Sequence, residues 1–299
     1  MSAVSTDPAT AETRAAAETC AVDETCDVGL FGPDSVTWRV HAEPILYVAG
    51  VRSLFLQALH PRAIAGVVQN SNYKTDPWGR LIRTAEYVGT VIFGTTAQAK
   101  AAGRRVRGLH ARMRAVDRRT GEQFRIDEPE LLRWVHVTEV ESFVGTARRA
   151  GLELTDAEVD RYFTEQRAAA ALIGLDPETV PGTAAEVAAY YRSMRPALKM
   201  TRECADTLRF LMAPPLPWHL GLTPARLLYT GVAATAFALQ PPWARRIYGS
   251  IALPTTDVSA SISVRALRLA AKALPERLLR GPIYRDALRR AAVAATSAT

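Results

Sequence analysis

Histidine is the side chain best suited to bind iron or to carry a proton near neutral pH, and the chain has five. His110 stands three residues after Arg107 and four before Arg114, so one helix would place all three side chains on one face. A neutral imidazole nitrogen can ligate iron while a guanidinium pairs with an anion beside it. Gly103, one turn before Arg107, would leave space for a flat molecule. The alternative is a solvated basic face with an incidental histidine.

A second helical segment carries a cation and a small hydroxyl donor, because Arg80 and Thr84 are four residues apart. An ordinary solvated helix could also show this pair. The core stripe of the segment is expected at Trp78, Leu81, Ile82, Ala85, Val88 and Ile92. A short joint at Gly94 predicts that this helix and the His110 helix are antiparallel neighbours. Both faces could therefore line one cavity.

His136 lies on an apolar row with Leu132, Val140 and Phe143, which predicts that its ring points into the protein. Such a histidine is either a core residue hydrogen-bonded to a neighbour, with Glu139 one turn further on, or a functional group. A carboxylate di-iron centre is not favoured. It needs Glu-x-x-His on two helices, whereas here the order is reversed and occurs once.

Other sequence motifs that carry chemistry are absent. There is no G-x-G-x-x-G after a strand, no phosphate-binding loop, no nucleophile elbow and no H-E-x-x-H. The net charge of +7 comes mainly from arginine, since only four of the 37 basic residues are lysines. No finger, ribbon or RNA-binding signature accompanies this excess, so we expect no nucleic-acid partner. Three cysteines without C-x-x-C spacing give no zinc-site signal and favour a reducing compartment.

The elements that must position these residues are helices. Apolar residues recur at helical spacing and no segment alternates for six or more residues, which predicts an all-α fold. Predicted helices cover 44–59, 61–70, 77–93, 96–116, 127–150, 202–212, 227–239, 257–273 and 282–295, with capping boxes at Thr155 and Thr183. The 96–116 helix has its expected core stripe at Ala102, Val106, Leu109, Met113 and Val116.

The chain ends and the most apolar run predict the domain organisation. Residues 1–28 have neither a basic start nor an apolar core, which predicts a disordered leader followed by a single all-helical domain over 29–299. The run 227–239 is too short to span a membrane and is expected to be a buried core helix, so we expect no membrane span and a cytoplasmic location. The Pro-rich stretch 214–218 and a basic C-terminal helix could each be a pocket lid or a contact surface. That helix carries Arg285, Arg289 and Arg290.

Three motifs, taken in order, resemble a known family. They are LHPRAIAGVVQNSNYKTDPWGRLIRTAEYVGTVIFG, RRVRGLHARMRAVD and EPELLRWVHVTEVESF. They resemble the MpaB-type oxygenase family, which includes the catalytic domain of rubber oxygenase (latex clearing protein), over roughly residues 30–240. The resemblance implies an all-helical domain that encloses a b-type haem between helices. It implies His110 as the proximal iron ligand, Arg80 and Thr84 beside the haem, and Thr138 in the pocket.

The resemblance also suggests roles for the surrounding charges. Arg107 and Arg114, together with Arg80, would neutralise buried haem propionates, because an unpaired buried carboxylate is costly. The family's lysine before the threonine is Arg83 in this chain. A guanidinium cannot ligate iron, so the sixth iron position is expected to be open or water-filled, with Arg83 and Thr84 lining the distal face.

The implied function is that of a haem b-dependent oxidoreductase that uses O₂ or peroxide, with His60 and His136 as candidate proton carriers. The rubber-cleaving members are exported and this chain shows no export signal, so the expected substrate is a small apolar or unsaturated metabolite rather than a polymer. Two alternatives stay open. One is a helical haem-binding or sensing protein without turnover, and the other is a helical regulator whose basic surface meets nucleic acid.

Overall fold

The computed structural model describes residues 26–214, 223, 225–250 and 253–297, and α-helices form nearly all of their regular structure. The first half contains α1 (Val36–His41), α2 (Leu46–Ala58), α3 (Pro61–Asn70), α4 (Pro77–Phe93), α5 (Thr96–Arg112), β1 (Arg114–Val116), β2 (Gln123–Arg125) and α6 (Pro129–Arg149). The second half contains α7 (Asp156–Leu172), α8 (Ala184–Met194), α9 (Arg202–Met212), α10 (Ala225–Ala238), α11 (Pro242–Ile247), α12 (Pro254–Lys272), α13 (Glu276–Leu279) and α14 (Pro282–Ser297), with short 3₁₀ turns at Pro177–Thr179 and Arg195–Ala197. The predicted all-α fold is confirmed.

The core is built around the contact between α2 and α6. Its largest fully buried apolar side chains include Phe55, Leu56, Leu59, Trp134 and Val137. Each such side chain contributes about 1.5–3 kcal/mol when it leaves water. These two helices therefore form the rigid part of the structure on which the other helices pack.

A buried ion pair ties the same two helices together. Arg52 on α2 donates to Glu141 on α6, at 2.7 Å to Oε2 and 3.1 Å to Oε1, and to Ser142 Oγ at 2.9 Å. Its Nε donates to the carbonyl oxygen of Leu239 at 3.0 Å, which fixes the end of α10. A buried guanidinium needs these partners, because an unpaired buried charge is strongly destabilising.

Several helices begin at residues whose side chains accept hydrogen bonds from N–H groups of the first turn, as the sequence indicates. Asp76 accepts a hydrogen bond from the Gly79 N–H and precedes a first-turn proline in α4. Thr95 and Thr155 both form reciprocal capping boxes, as predicted for Thr155. Thr183 also caps its helix, although the Glu186 carboxylate that would complete the box binds the Gly182 N–H instead.

The helix predicted over 96–116 ends at Arg112, and the next residues form a strand. β1 pairs antiparallel with β2 in the register Ala115 to Phe124. The chain reverses between them through Gly121, whose φ of 76° is a conformation that favours glycine. Ala115 and Phe124 are buried and their neighbours in each strand are exposed. Three residues of alternation were too few to be recognised as a strand.

The first described residues bind the domain. The Asp27 carboxylate accepts from the Thr96 N–H at 2.7 Å and from Thr96 Oγ1 at 2.9 Å, which caps α5. Asp27, near the end of the leader predicted over 1–28, thus contacts the domain, and residues 1–25 lie outside the described residues. Cys26 is disulfide-bonded and Cys204 is a free buried thiol, so the structure gives no support to the reducing compartment that the cysteine pattern favoured.

The apolar segment 227–239 is only partly buried. Leu227 and Leu228 on α10 are 78% and 64% exposed, whereas Ala233, Ala236 and Leu239 are buried. A core helix buried on all sides was therefore the wrong expectation. None of the helices in the described ranges is long and apolar enough to cross a bilayer. The cytoplasmic location stays a prediction.

The C-terminal helix makes a contact within the chain. Arg290 on α14 donates to the carbonyl oxygens of Asp27 and Phe93, which docks α14 beside the end of α4. Arg289 pairs with Asp286 on its own exposed face. Residues 215–218 of the Pro-rich stretch lie outside the described residues.

Candidate functional site

His110 lies near the C-terminal end of α5 with its ring half-buried. Its Nδ1 atom is buried and has no hydrogen-bond partner among the described residues. Burial lowers the pKa of the imidazole, and the nearby Asp127 carboxylate acts in the opposite direction. The ring is therefore neutral at pH 7. A neutral imidazole with an unpaired nitrogen is the form that ligates a metal, because its lone pair is free.

α5 turns a different face to the core from the one predicted. Leu109 and Val116, both expected in the core stripe, are 39% and 38% exposed. Ala99 and Gly103 are buried instead, and His110 follows Gly103 by two helical turns on the same face. The predicted core stripe of α5 was wrong because Ala99 and Gly103 are small and let another helix approach closely. The spacing of apolar residues does not reveal such a close approach. His110 consequently points further inward than the sequence indicated.

The space predicted beside Gly103 is occupied by α7. A Cβ atom at Gly103 would lie 2.8 Å from Leu172 Cβ and 2.9 Å from the Leu172 carbonyl oxygen. A flat molecule has no room at that point. One turn further on, the stem of Arg107 lies against Gly174, whose Cβ position is 3.3 Å from Arg107 Cδ. The exposed guanidinium of Arg107 has no ion-pair partner in the described part of the chain.

Arg114 does not share a helix face with His110. It lies in β1, beyond the end of α5, and is exposed. Its Nη1 donates to the carbonyl oxygens of Ala111 at 2.7 Å and Met113 at 2.9 Å. These are carbonyls of the last turn of α5 and of the residue that ends it, where a cation is favourable. The predicted row of Arg107, His110 and Arg114 is therefore wrong for Arg114.

Three predicted residues on α4 have different surroundings. Arg80 is half-buried, burial lowers its pKa, and no other described residue gives its guanidinium a hydrogen bond or an ion pair. The Thr84 hydroxyl donates to the Arg80 carbonyl oxygen at 3.0 Å, which leaves its lone pairs free to accept. Arg83 pairs with Asp76 at 3.1 Å on the exposed N-terminal turn. This position gives no support to the predicted distal role of Arg83.

Residues 77–90, about four turns of α4, are not buried in the core. Burial begins at Val91. Ile82, which was expected in the core stripe, is 57% exposed. Trp78 Nε1 is buried and lacks a hydrogen-bond partner among the described residues. An exposed helix surface that combines a large apolar side chain with a nearby unpaired buried N–H is a candidate ligand-binding surface.

His136 on α6 is buried and Glu139 on the same helix is half-buried, and both side chains have polar atoms without a hydrogen-bond partner among the described residues. His136 Nε2 has no hydrogen-bond partner in the described ranges, and burial lowers the pKa of the ring to about 4. Burial raises the pKa of Glu139 to about 7, and no described residue pairs with its carboxyl group. Burial raises the pKa values of Tyr87 on α4 and Tyr162 on α7, and the Glu139 charge adds to both shifts. The Glu139 carboxyl group is not hydrogen-bonded to His136, although the two residues are one turn apart on α6.

Glu139 is the functional candidate that the sequence did not identify. A carboxyl group with a pKa near 7 can give and take a proton at neutral pH, which suits general acid–base chemistry. The sequence indicated it only as a neighbour of His136. One available signal was that no lysine or arginine stands three or four residues away on either side, so the helix offers it no counter-charge.

Two other predicted residues have structural contacts. The buried Thr138 hydroxyl donates within α6 to the carbonyl oxygens of Trp134 at 2.8 Å and Val135 at 2.9 Å. His60 Nδ1 accepts from the Ala63 N–H at 3.3 Å and caps α3. The predicted pocket role of Thr138 and the predicted proton-carrying role of His60 gain no support from these positions.

The residues present fit a haem in three respects. His110 offers an unpaired buried nitrogen, Arg80 offers an unpaired half-buried cation for a carboxylate, and α4 offers a surface on which Ile82 is exposed. Among the described residues, no group of three or more His, Cys, Asp or Glu side chains could hold a bare metal ion. An iron bound by His110 would take its other ligands from a porphyrin.

Comparison with known proteins supports the resemblance seen in the motifs. A family model described as "ER-bound oxygenase mpaB/B'/Rubber oxygenase, catalytic domain" matches residues 38–273. This range includes α4, α5 and α6 and contains every candidate site residue considered above, from His60 to Glu139. No curated protein and no solved structure matches the chain.

Proposed function

The chain belongs to the family of ER-bound oxygenase mpaB/B' and rubber oxygenase catalytic domains, and on this premise we propose that it is a haem b-dependent oxidoreductase. It would use O₂ or peroxide to oxidise a small apolar or unsaturated molecule. The observation that carries the proposal is the buried, unpaired Nδ1 of His110. Leaving such a nitrogen without a partner costs about 1–3 kcal/mol, and a metal–ligand bond would offset that cost.

His110, Arg80 and Arg107 would hold the cofactor. A bound haem b would supply the iron at which O₂ or peroxide is activated. His110 would bind this iron through its neutral ring. Arg80 would pair with one carboxylate of the cofactor, since a half-buried guanidinium without an acid is complementary to a buried carboxylate. Arg107 is a second unpaired cation on the same helix as His110 and could pair with the other carboxylate.

Glu139 and His136 would handle protons. With a pKa near 7, the Glu139 carboxyl holds a proton at slightly acidic pH and releases it at slightly basic pH. His136 stays neutral at pH 7, because its pKa is about 4, and its free Nε2 can accept or donate a hydrogen bond. Thr84 can accept a hydrogen bond from a bound molecule through its free lone pairs. The apolar face of α4 would contact the substrate or the macrocycle.

The test is the absorption spectrum of the purified protein before and after addition of haemin. We expect a Soret band in the wild type and its loss in His110→Ala. The matched control is His60→Asn, which removes another histidine but keeps a side chain that caps helices well, so it should retain the band. A His110→Ala variant that binds haemin as tightly as the wild type would refute the proposed ligand.

Further outcomes separate the three functions. Oxygen uptake with a small alkene such as styrene would support the oxidoreductase. A Soret band without uptake across a panel of unsaturated molecules would support the haem-binding or sensing alternative. Failure to bind haemin, together with salt-dependent binding to DNA, would favour the regulator with a basic surface.

A further inference from the structure

A cleft of about 330 Å³ opens between α6, α7, α8 and the start of α11. Its walls include the buried apolar or aromatic side chains Val144, Val159, Phe163, Val187 and Tyr191, with Trp243 at one edge. This volume is at the small end of the range of roughly 300–1,000 Å³ for small-molecule sites.

The cleft is distinct from the proposed haem site. Glu141 lines the cleft and follows Glu139 by two residues on α6. Two residues turn an α-helix by about 200°, so these side chains leave opposite sides of α6. The Glu139 side chain and the cleft therefore lie on different sides of α6.

Three arginines line the cleft beside its apolar walls. Arg148 pairs with Asp156 at 2.7 Å, so its charge is largely neutralised. Arg192 and Arg195 are exposed and have no acidic partner among the described residues. The Arg195 guanidinium lies over the Trp243 ring, 5.3 Å from its centroid. The positive charge of Arg195, which has no acidic partner among the described residues, therefore lies next to the Trp243 ring that lines the cleft.

The one acidic group in the cleft is already neutralised. Both oxygens of Glu141 accept hydrogen bonds from the Arg52 guanidinium, and the Tyr191 hydroxyl donates to Oε2 at 3.1 Å. Glu141 therefore offers little attraction to a cationic ligand and little repulsion to an anion. The net potential of the cleft comes from Arg192 and Arg195.

We propose that this cleft binds a small amphiphilic carboxylate. The apolar part of the ligand lies against Phe163 and Trp243, and its carboxylate pairs with Arg192 and Arg195, whose planar guanidinium groups match a carboxylate geometrically. The ligand is anionic rather than neutral, because the two arginines give the cleft a positive charge that no acidic side chain of the described residues offsets.

Calorimetric titration of the full chain with decanoate tests this assignment. We expect saturable binding at one site, about tenfold weaker binding by the Arg192→Gln/Arg195→Gln double variant, and no change in Arg209→Gln. Arg209 is the matched control because its side chain is 75% exposed on α9, away from the cleft. Ala188→Phe fills the cleft without changing the charge and should abolish binding. 1-Decanol and acetate, which lack the charge and the chain respectively, should bind more weakly than decanoate.

Three results would overturn the proposal: no saturable binding of decanoate, equal affinity in the wild type and the double variant, or equal affinity for decanoate and 1-decanol. The variants should keep the haemin binding of the wild type, because the cleft lies on the other side of α6. If the protein fails to bind haemin, the decanoate titration still tests the cleft. If it fails to bind decanoate, the haemin titration still tests the proposed haem site.

Discussion

Replacing Glu139 by glutamine should stabilise the protein at pH 8 and change its stability much less at pH 5. Burial raises the pKa of Glu139 to about 7 from its usual value of 4.5. Between pH 4.5 and about pH 7 the folded protein keeps a proton on Glu139 that the unfolded chain has released. The free energy of unfolding therefore falls as the pH rises through this window. At about 1.36 kcal/mol per pH unit, the cost of the charge reaches about 3 kcal/mol at pH 8 and about 1 kcal/mol at pH 5. Glutamine has nearly the same shape and carries no charge at either pH.

The assay is urea unfolding of the haem-free protein at both pH values. Glu139→Gln should raise the unfolding midpoint clearly at pH 8 and only slightly at pH 5, with an unchanged slope. Glu130→Gln is the matched control, because Glu130 is exposed on the first turn of the same helix and should change little at either pH. An equal stability increment for Glu139→Gln at pH 5 and pH 8 would refute the raised pKa. No increment at all would mean that water reaches the carboxyl group freely.

Three further substitutions test other contacts. Arg80→Gln should weaken haemin binding at least about tenfold, since a hydrogen bond to a charged group contributes about 1.5–3 kcal/mol, and an unchanged spectral titration would contradict this role. Glu141→Gln leaves the buried Arg52 without a counter-charge and should lower the free energy of unfolding by about 3 kcal/mol in urea, whereas a loss below about 1 kcal/mol would show that the pair is well solvated. Gly103→Ala places a methyl group 2.8 Å from Leu172 Cβ and should cost about 1–3 kcal/mol in thermal unfolding, although alanine is the better helix former. A stabilised Gly103→Ala variant would contradict the close approach of α5 and α7.

Helix starts were the most predictable part of the fold, because they depend on residues three positions apart. Asp76 and Thr155 accept hydrogen bonds from N–H groups in the first turn of their own helices, as their sequence context indicated. The end of the 96–116 helix was less predictable. Its apolar residues continue at helical spacing, and the strand that replaces its last turn is formed only because β2 returns through Gly121 to pair with it.

Spacing along the chain predicted which side chains share a helix face wherever the helix continued, but it did not predict which helix lies opposite that face. Arg80 and Thr84 do share one side of α4, as their four-residue spacing indicated. Gly103 was expected to admit a flat molecule, and it admits Leu172 of α7 instead. Small residues permit close approach, but the approaching partner is chosen by the packing of the whole chain.

The sequence by itself determined the helical class, the helix caps and membership of the oxygenase family, because periodicity, capping chemistry and motif order are properties of neighbouring residues. Only the tertiary structure decided which polar groups are enclosed without partners. Whether Glu139 loses its water and whether His110 keeps a free nitrogen depend on helices distant in sequence that surround them, and desolvation is what sets the protonation of both groups.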